Sequence, residues 1–132
     1  FAFTRRFDVV VGGEIIEHLG NPGLFIRACR DHLTDDGVLV LTTPNTFSVN
    51  LLLKGLLFAD VQLFHEHTNA YTPGLLRELL GRAGLTIERV EYFTEKNPGV
   101  KNAIFRLLSR LRPSWSEGIL VVARADRRAS HG

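Results

Sequence analysis

The chain is poor in several residues and segments that would otherwise decide its class. Cys29 is the only cysteine among 132 residues, and methionine is absent. A single cysteine excludes an intrachain disulfide and favours a reducing, cytoplasmic setting. No apolar run reaches the roughly 18 residues of a membrane-spanning helix, and the first residues lack the order of a signal peptide. Because a natural chain rarely begins without methionine, we expect a fragment or a processed piece.

The composition fits one folded unit. Hydrophobic residues make up 45% of the chain and charged residues 23%, with a formal net charge of +2. These values argue against general disorder and against a specific nucleic-acid partner. The charge is uneven, since residues 101–132 carry seven Lys or Arg against two Asp or Glu. We predict one partial domain over residues 1–125 and a polar tail over 126–132.

The first third of the chain has the pattern strand, helix, strand. Residues 7–11 form a β-branched run without alternation, which predicts a strand buried on both faces of a parallel sheet. Asn21 and Pro22 predict a helix start. Asp36-Gly37 would end this helix, whose apolar stripe is Leu24, Phe25, Ala28, Cys29 and Leu33. In that stripe Cys29 is a core residue rather than a nucleophile. Residues 38–42 predict a second buried strand.

The later segments repeat the alternation after an apolar insert at residues 46–64. Thr72 and Pro73 predict a helix that ends at Gly84. A strand over residues 85–94, an amphipathic basic helix over 100–112 and a last strand over 119–123 follow. This order predicts an α/β fold, half of a doubly wound sheet.

Polar residues stand where such a sheet binds its ligands, beyond the carboxyl ends of the strands at residues 12–18 and 43–45. On a helix, Glu14, Glu17 and His18 would share one face, and two carboxylates with an imidazole suit a divalent ion. A structural alternative stays open. In it Glu17 caps a helix or pairs with an arginine, and His18 is a hydrogen-bonded residue at the strand end.

Three segments in this order resemble the class I S-adenosylmethionine-dependent methyltransferases, in the branch of ubiquinone-pathway O-methyltransferases and small-RNA 2′-O-methyltransferases. They are FDVVVGGEIIEHL, DHLTDDGVLVLTTPN and HEHTNAYTPGLLRELLGRAGL. The resemblance implies the C-terminal half of a doubly wound, Rossmann-like sheet, mostly parallel with an antiparallel last strand. The family's glycine-rich loop and the acidic residue of its second strand have no counterpart in the chain.

The resemblance also implies site residues. Gly12, Gly13 and Glu14 would line the methionine end of S-adenosylmethionine, although Gly12-Gly13 is equally interpreted as a turn that needs positive φ. The small-RNA enzymes imply a metal set of Glu14, Glu17, His18 and His67, with His65 as a competitor of His67. Magnesium, manganese or iron would suit such ligands. Without a metal, His18 or His67 would act as the general base.

Thr43 and Asn45 are predicted to orient a substrate hydroxyl, or else to form an ordinary strand-ending turn. The apolar inserts around residues 51–64 and 100–111 predict a buried lid over the site. The alternative is contact with a membrane or a lipid-like substrate, because the second insert is basic.

The sequence therefore predicts methyl transfer to a hydroxyl of a small molecule, by a longer or truncated enzyme. The alternative from another class is a non-catalytic binding or assembly module that keeps half of the fold. A metal-dependent hydrolase is disfavoured, since no H-E-x-x-H spacing is present. The strand at residues 7–11 would keep one unpaired edge, which predicts homodimer formation through that edge.

Overall fold

The computed structural model describes residues 3–57, 67–94 and 100–125, with the backbone alone for residues 100–105. Its helices and strands follow the predicted order. They are β1 (Phe7–Gly13), α1 (Pro22–Asp31), β2 (Leu33–Pro44), α2 (Val49–Leu57), α3 (Pro73–Gly81), β3 (Leu85–Phe93), α4 (Val100–Leu111) and β4 (Gly118–Ala125). Two 3₁₀ turns, Ile16–His18 and Pro113–Trp115, precede α1 and β4. The predicted polar tail lies outside the described residues.

The four strands form one mixed sheet in the order β1-β2-β4-β3. β1 pairs with β2 in parallel, and β4 runs antiparallel to both β2 and β3. Three strands therefore point one way and the last strand of the chain points the other way. This arrangement confirms the predicted α/β sheet, mostly parallel with an antiparallel last strand.

Local capping sets where two helices begin. Asn21 Oδ1 accepts a hydrogen bond from Leu24 N at 3.0 Å, and Thr72 Oγ1 accepts one from Leu75 N at 3.2 Å. Proline occupies the first turn of each helix, where its missing N–H has no intrahelical partner to lose. Both predicted helix starts are correct.

The predicted end of α1 is wrong. The helix stops at Asp31, and Leu33 already belongs to β2, where it pairs with Phe7. Leu33 is fully buried as a strand residue, so burial rather than helical periodicity explains its apolar side chain. Leu24, another member of the predicted stripe, is 59% exposed.

The prediction that β1 is buried on both faces is also wrong. Val10 packs against the core, whereas Val9 and Val11 are 54% and 68% exposed. Successive side chains of a strand point to opposite faces, so one face of β1 is open among the described residues. Its only described strand partner is β2, which confirms that β1 is an edge strand. Homodimer formation through this edge stays a prediction.

The core lies on one face of the sheet, beneath α1 and α3. Its buried members come from alternate positions of the central strands and from two helices: Ile26, Cys29, Leu39, Leu41, Leu76, Leu80, Ile119, Val121 and Ala123. Burial raises the pKa of the Cys29 thiol to about 11. The thiol is therefore protonated at neutral pH, in agreement with its predicted role as a core residue. None of the described helices has the length and apolar character needed to cross a bilayer.

Candidate functional site

The chain turns sharply where β1 ends. Glu14 has φ of 48°, the left-handed region that a residue with a side chain rarely adopts. Its N–H donates to both the carbonyl oxygen and Oγ1 of Thr42, at 3.1 and 3.2 Å, which ties the turn to β2. The 3₁₀ turn Ile16–His18 follows, and it directs the Glu17 side chain into the protein.

This geometry corrects the interpretation of the two glycines. Neither has positive φ; that conformation falls on Glu14 instead. A Cβ on Gly12 would lie 2.8 Å from Leu41 Cδ2, so a larger residue there would force the core to shift. A Cβ on Gly13 would meet only Thr42 Oγ1 at 3.7 Å, which is ordinary contact. A role of Gly12, Gly13 and Glu14 in cofactor binding stays a prediction.

Three predicted metal ligands come together. The candidate ligand atoms of Glu17, His18 and His67 all lie within 4.8 Å of one another. We call these three residues the acid–histidine cluster. Glu14 is not part of this cluster: the helical segment has only three residues and begins after it. The prediction that one helix face presents Glu14, Glu17 and His18 is therefore wrong. His65 lies outside the described residues.

Backbone hydrogen bonds bring His67 to the other two members. Thr68 N and Asn69 N donate to the carbonyl oxygen of Glu17 at 2.9 and 3.1 Å. Asn69 Nδ2 donates to the carbonyl oxygen of Leu19 at 2.7 Å. These bonds fasten the segment before α3 to the turn after β1, and the rings of His18 and His67 meet edge to face as a result.

The Glu17 carboxyl group is the most unusual member of the cluster. The residue is 1% exposed, and its Oε2 accepts a hydrogen bond from Thr43 Oγ1 at 3.2 Å. Its Oε1 is buried without a hydrogen-bond partner, with His18 Nε2 at 3.9 Å. A buried carboxyl oxygen without a hydrogen-bond partner is unfavourable. Glu17, His18 and His67 each offer one ligand atom here, so the three residues could hold a cation.

Tyr71 is buried close enough to Glu17 to be affected by its charge, and sequence reasoning missed it. Its hydroxyl donates to the carbonyl oxygen of Ile16 at 3.3 Å. Burial, and secondarily the negative charge of Glu17, raise the pKa of Tyr71, which keeps the phenol neutral. In the sequence Tyr71 precedes a helix cap, and nothing in that position signals a contact with residues 16–17.

The two residues predicted to bind substrate have different surroundings. Asn45 is buried; its Nδ2 donates to the carbonyl oxygens of Ser114 and Ser116 at 2.8 Å each, and its Oδ1 accepts from Phe47 N at 3.1 Å. These bonds give Asn45 a structural role, and its role in orienting a substrate hydroxyl stays a prediction. Thr43 holds Glu17 and borders a cleft.

That cleft encloses about 280 Å³, including its open mouth. Its lining consists of Thr43, Pro44, Thr46, Leu51, His67, Asn69 and Ala70. Thr43 and His67 connect it to the acid–histidine cluster. Because this volume includes open solvent, it describes a shallow cleft rather than a closed ligand cavity, and the cleft suits a small polar group.

The predicted buried lid does not form in the part of α2 that the structure describes. Leu51 lines the cleft, but α2 has no buried residue. Leu52, Leu53, Leu56 and Leu57 are all more than 40% exposed. Most leucines of α2 therefore lie on the surface of the described structure and do not cover the cleft.

Comparison with known proteins gives a family match over most of the described chain. A family model described as a methyltransferase domain matches residues 2–90. This range contains β1, α1, β2, α2, α3 and the whole acid–histidine cluster.

Curated relatives share this segment. The chain is 31% identical over 89 residues to a ubiquinone biosynthesis O-methyltransferase of Cereibacter sphaeroides, covering 64% of this chain and 36% of the relative. It is 31% identical over 90 residues to the mitochondrial ubiquinone biosynthesis O-methyltransferase of Rattus norvegicus, covering 64% and 26%. The chain thus spans about a third of the first relative's length and about a quarter of the second's.

Solved structures show the same fold. An S-adenosylmethionine-dependent methyltransferase from Clostridium acetobutylicum superposes with a TM-score of 0.61 at 13% identity, over 95% of this chain and 61% of that one. The magnesium protoporphyrin IX methyltransferase of Synechocystis, solved with S-adenosylhomocysteine, gives 0.57 at 16% identity, over 93% and 47%.

Proposed function

Because the chain belongs to the class I S-adenosylmethionine-dependent methyltransferase family, we propose that it provides the acceptor side of a methyl transfer. The acceptor is a hydroxyl of a small molecule bound in the cleft. The acid–histidine cluster holds a divalent cation beside it. The observation that carries this proposal is the buried Glu17 Oε1, which lacks a hydrogen-bond partner and faces two imidazoles.

Methyl transfer requires that the acceptor hydroxyl is aligned with the methyl group of the cofactor and that the hydroxyl loses its proton. The acceptor oxygen forms a bond to the sulfonium methyl, the sulfur–methyl bond breaks, and the hydroxyl proton leaves. His67 touches both the cleft and the cluster. Without a cation its imidazole would be the base that takes that proton, and with a cation bound it would serve as a ligand instead. His18 meets His67 edge to face and would hold its ring in place.

The cation site has a clear division of tasks among residues of this chain. Glu17 supplies the negative charge, and His18 and His67 supply neutral nitrogen ligands. Thr43 fixes the carboxylate through Oε2 and leaves Oε1 for the cation. A divalent cation, when bound there, lowers the pKa of a coordinated hydroxyl.

For S-adenosylmethionine, this chain would provide only part of the binding site. The turn at Gly13 and Glu14 lies at the carboxyl end of β1, where ligands of such sheets bind. Gly13 is exposed and has room beside it, which supports contact with the cofactor at this residue. The sequence contains no G-x-G loop to cradle the rest of the cofactor.

A cytoplasmic location is proposed on the single cysteine alone.

A second candidate is a binding or assembly module without catalysis. The open face of β1, with Val9 and Val11 exposed, favours it. In that case this half of the fold binds a partner, and the acid–histidine cluster has a structural role.

Calorimetric titration with S-adenosylmethionine separates the two candidates. We expect binding to a version extended upstream in its reading frame, and weak or no binding to the 132-residue chain. The extended version should also methylate a small phenol, with loss of activity in His67→Ala and retention in the surface variant Arg77→Ala. If the extended version does not bind the cofactor, the enzymatic function is contradicted and the binding or assembly module is favoured.

A further inference from the structure

The threonines that line the cleft have already used their hydrogen-bond donors within the protein. Thr43 donates its hydroxyl hydrogen to Glu17 Oε2 at 3.2 Å. Thr46 donates its own to the carbonyl oxygen of Tyr71 at 2.7 Å. A hydroxyl group has one donor hydrogen and two acceptor lone pairs. Each of these two side chains therefore still offers a ligand a hydrogen-bond acceptor, but no donor.

Asn69, the amide side chain of the lining, has used its donors as well. Its Nδ2 donates to the carbonyl oxygen of Leu19 at 2.7 Å and to Thr68 Oγ1 at 3.1 Å. A carbonyl oxygen cannot donate, so the atom next to the Leu19 oxygen must be the amide nitrogen. Both amide hydrogens are engaged in this way. Asn69 therefore offers a ligand its Oδ1, which is again a hydrogen-bond acceptor.

The described lining contains no Lys or Arg that would attract an anion. Pro44, Leu51 and Ala70 have apolar side chains, and His67 belongs to the acid–histidine cluster. An ionised carboxylate or phosphate group carries acceptors only, so it would meet the acceptors of the lining without a hydrogen between them. A hydroxyl or amino group would supply that hydrogen. Such a site disfavours ligands that lack the donor, because its polar groups then lose their partners.

We propose that the cleft selects its ligand by a hydroxyl or amino group that donates to Thr43 Oγ1, Thr46 Oγ1 or Asn69 Oδ1, and that it disfavours a carboxylate or phosphate there. The hydroxyl that is methylated lies towards His67, and the donor group is a second one on the same molecule. The inference rests on the proposed function for the role of that molecule, and it adds the substrate class. The selection itself is a property of binding, so it can be measured without cofactor or catalysis.

Nuclear magnetic resonance titration of the 132-residue chain in metal-free buffer tests the selection. Three probes share a phenol ring and differ in the group at the meta position. In meta-hydroxybenzyl alcohol this group is a donor, in its methyl ether it is an acceptor only, and in meta-hydroxybenzoate it is an anion. The backbone amide shifts of Thr46, Asn69 and Ala70 report binding in the cleft.

We expect meta-hydroxybenzyl alcohol to bind at least about fivefold more tightly than the other two probes, since it alone pairs with the acceptors of the lining. Equal affinity of the three probes, tighter binding of meta-hydroxybenzoate, or no shift at the cleft with any probe would overturn the proposal. Failure of the extended version to bind S-adenosylmethionine would instead refute the methyl transfer and leave this preference in place.

Thr46 provides a conservative pair of variants. Thr46→Val removes the hydroxyl oxygen and Thr46→Ser keeps it. The backbone N–H of Thr46 also donates to the carbonyl oxygen of Tyr71, at 3.3 Å, so both variants keep this loop attached. We expect Thr46→Val to lower the preference for the alcohol over its methyl ether at least about twofold, and Thr46→Ser to preserve it. An unchanged preference in Thr46→Val, or an equal loss in Thr86→Val on the exposed side of β3, would contradict the role of Thr46.

Ala70 allows the selection to be inverted. Its side chain is exposed at the cleft and makes no hydrogen bond, so Ala70→Lys adds a cationic donor without removing a bond. We expect this variant to bind meta-hydroxybenzoate at least about fivefold more tightly than wild type does. Thr86→Lys on β3 is the matched control and should leave that affinity unchanged. Circular dichroism checks that both variants are folded. Unchanged affinity in Ala70→Lys, or an equal gain in the control, would overturn the proposal.

Discussion

His18 and His67 meet edge to face, with their ring centroids 4.6 Å apart and their planes at 84°. One residue follows β1 and the other precedes α3. The backbone bonds from Thr68 and Asn69 to the Glu17 carbonyl oxygen hold them in this arrangement. The pairing gives the buried Glu17 carboxyl two nitrogen neighbours, and it defines where a cation would bind.

Thr43 positions Glu17, so its hydroxyl should matter for metal affinity. Thr43→Val removes the donor to Glu17 Oε2 and keeps the side-chain shape. We expect manganese affinity to fall by about tenfold, as for other residues that orient a ligand. Stability should fall by about 1 kcal/mol. Thr86→Val on β3 is the control, measured by the same titration and by urea unfolding. Equal manganese affinity in wild type and Thr43→Val would show that Thr43 does not orient the ligand.

Gly12 and Gly13 should differ in their tolerance of alanine. Gly12→Ala places a Cβ 2.8 Å from Leu41 Cδ2 inside the core, and we expect a loss of about 1 to 3 kcal/mol. Gly13→Ala meets no atom closer than 3.7 Å and should cost far less. Urea unfolding of both variants gives the comparison. If the two variants have the same stability, core packing does not explain Gly12.

The Cys29 thiol should not react with thiol reagents in the folded protein. Its ionisation in the unfolded chain should lower the stability of the fold at high pH. Its thiol is buried, and burial raises its pKa from 9.0 to about 11. The stabilising contribution is complete below pH 9 and is lost as the pH rises through about 11, because the unfolded chain ionises first. Tyr71, whose pKa is also raised, acts in the same direction.

Two measurements check this prediction. A thiol reagent should react with wild type only after unfolding by urea. The urea midpoint should fall between about pH 9 and 11, and Cys29→Ala should reduce that fall. Rapid reaction of the native thiol would contradict the buried position.

Asn45 should affect stability more than acceptor binding. Asn45→Ala leaves the carbonyl oxygens of Ser114 and Ser116 without their donor, and we expect a loss of about 2 to 3 kcal/mol. Asn50→Ala on α2 provides the control by urea unfolding. Unchanged stability with weaker acceptor binding would instead support the substrate role predicted from the sequence.

The sequence predicts those features that depend on neighbouring residues. The starts of α1 and α3 can be predicted from Asn21-Pro22 and Thr72-Pro73, because each cap bonds an N–H only three residues later. The order of strands and helices follows from similar local patterns. His67 was located through the resemblance to a family, and the structure brings it to Glu17 and His18.

Features that depend on distant contacts could not be predicted. The positive φ of Glu14 arises from its bonds to Thr42, and the amide of Asn45 is engaged by the turn before β4. Similarly, Val9 and Val11 are exposed because the described residues leave their face of β1 uncovered, which the composition of the strand does not reveal.

The central claim is that Glu17, His18 and His67 hold a divalent cation, and manganese binding tests it most directly. Free manganese is measured by electron paramagnetic resonance during titration of the 132-residue chain, of Glu17→Gln and of the surface control Glu78→Gln. We predict one bound ion per chain for wild type and the control, and an affinity at least about tenfold lower for Glu17→Gln. Equal manganese affinity in all three proteins would contradict the claim.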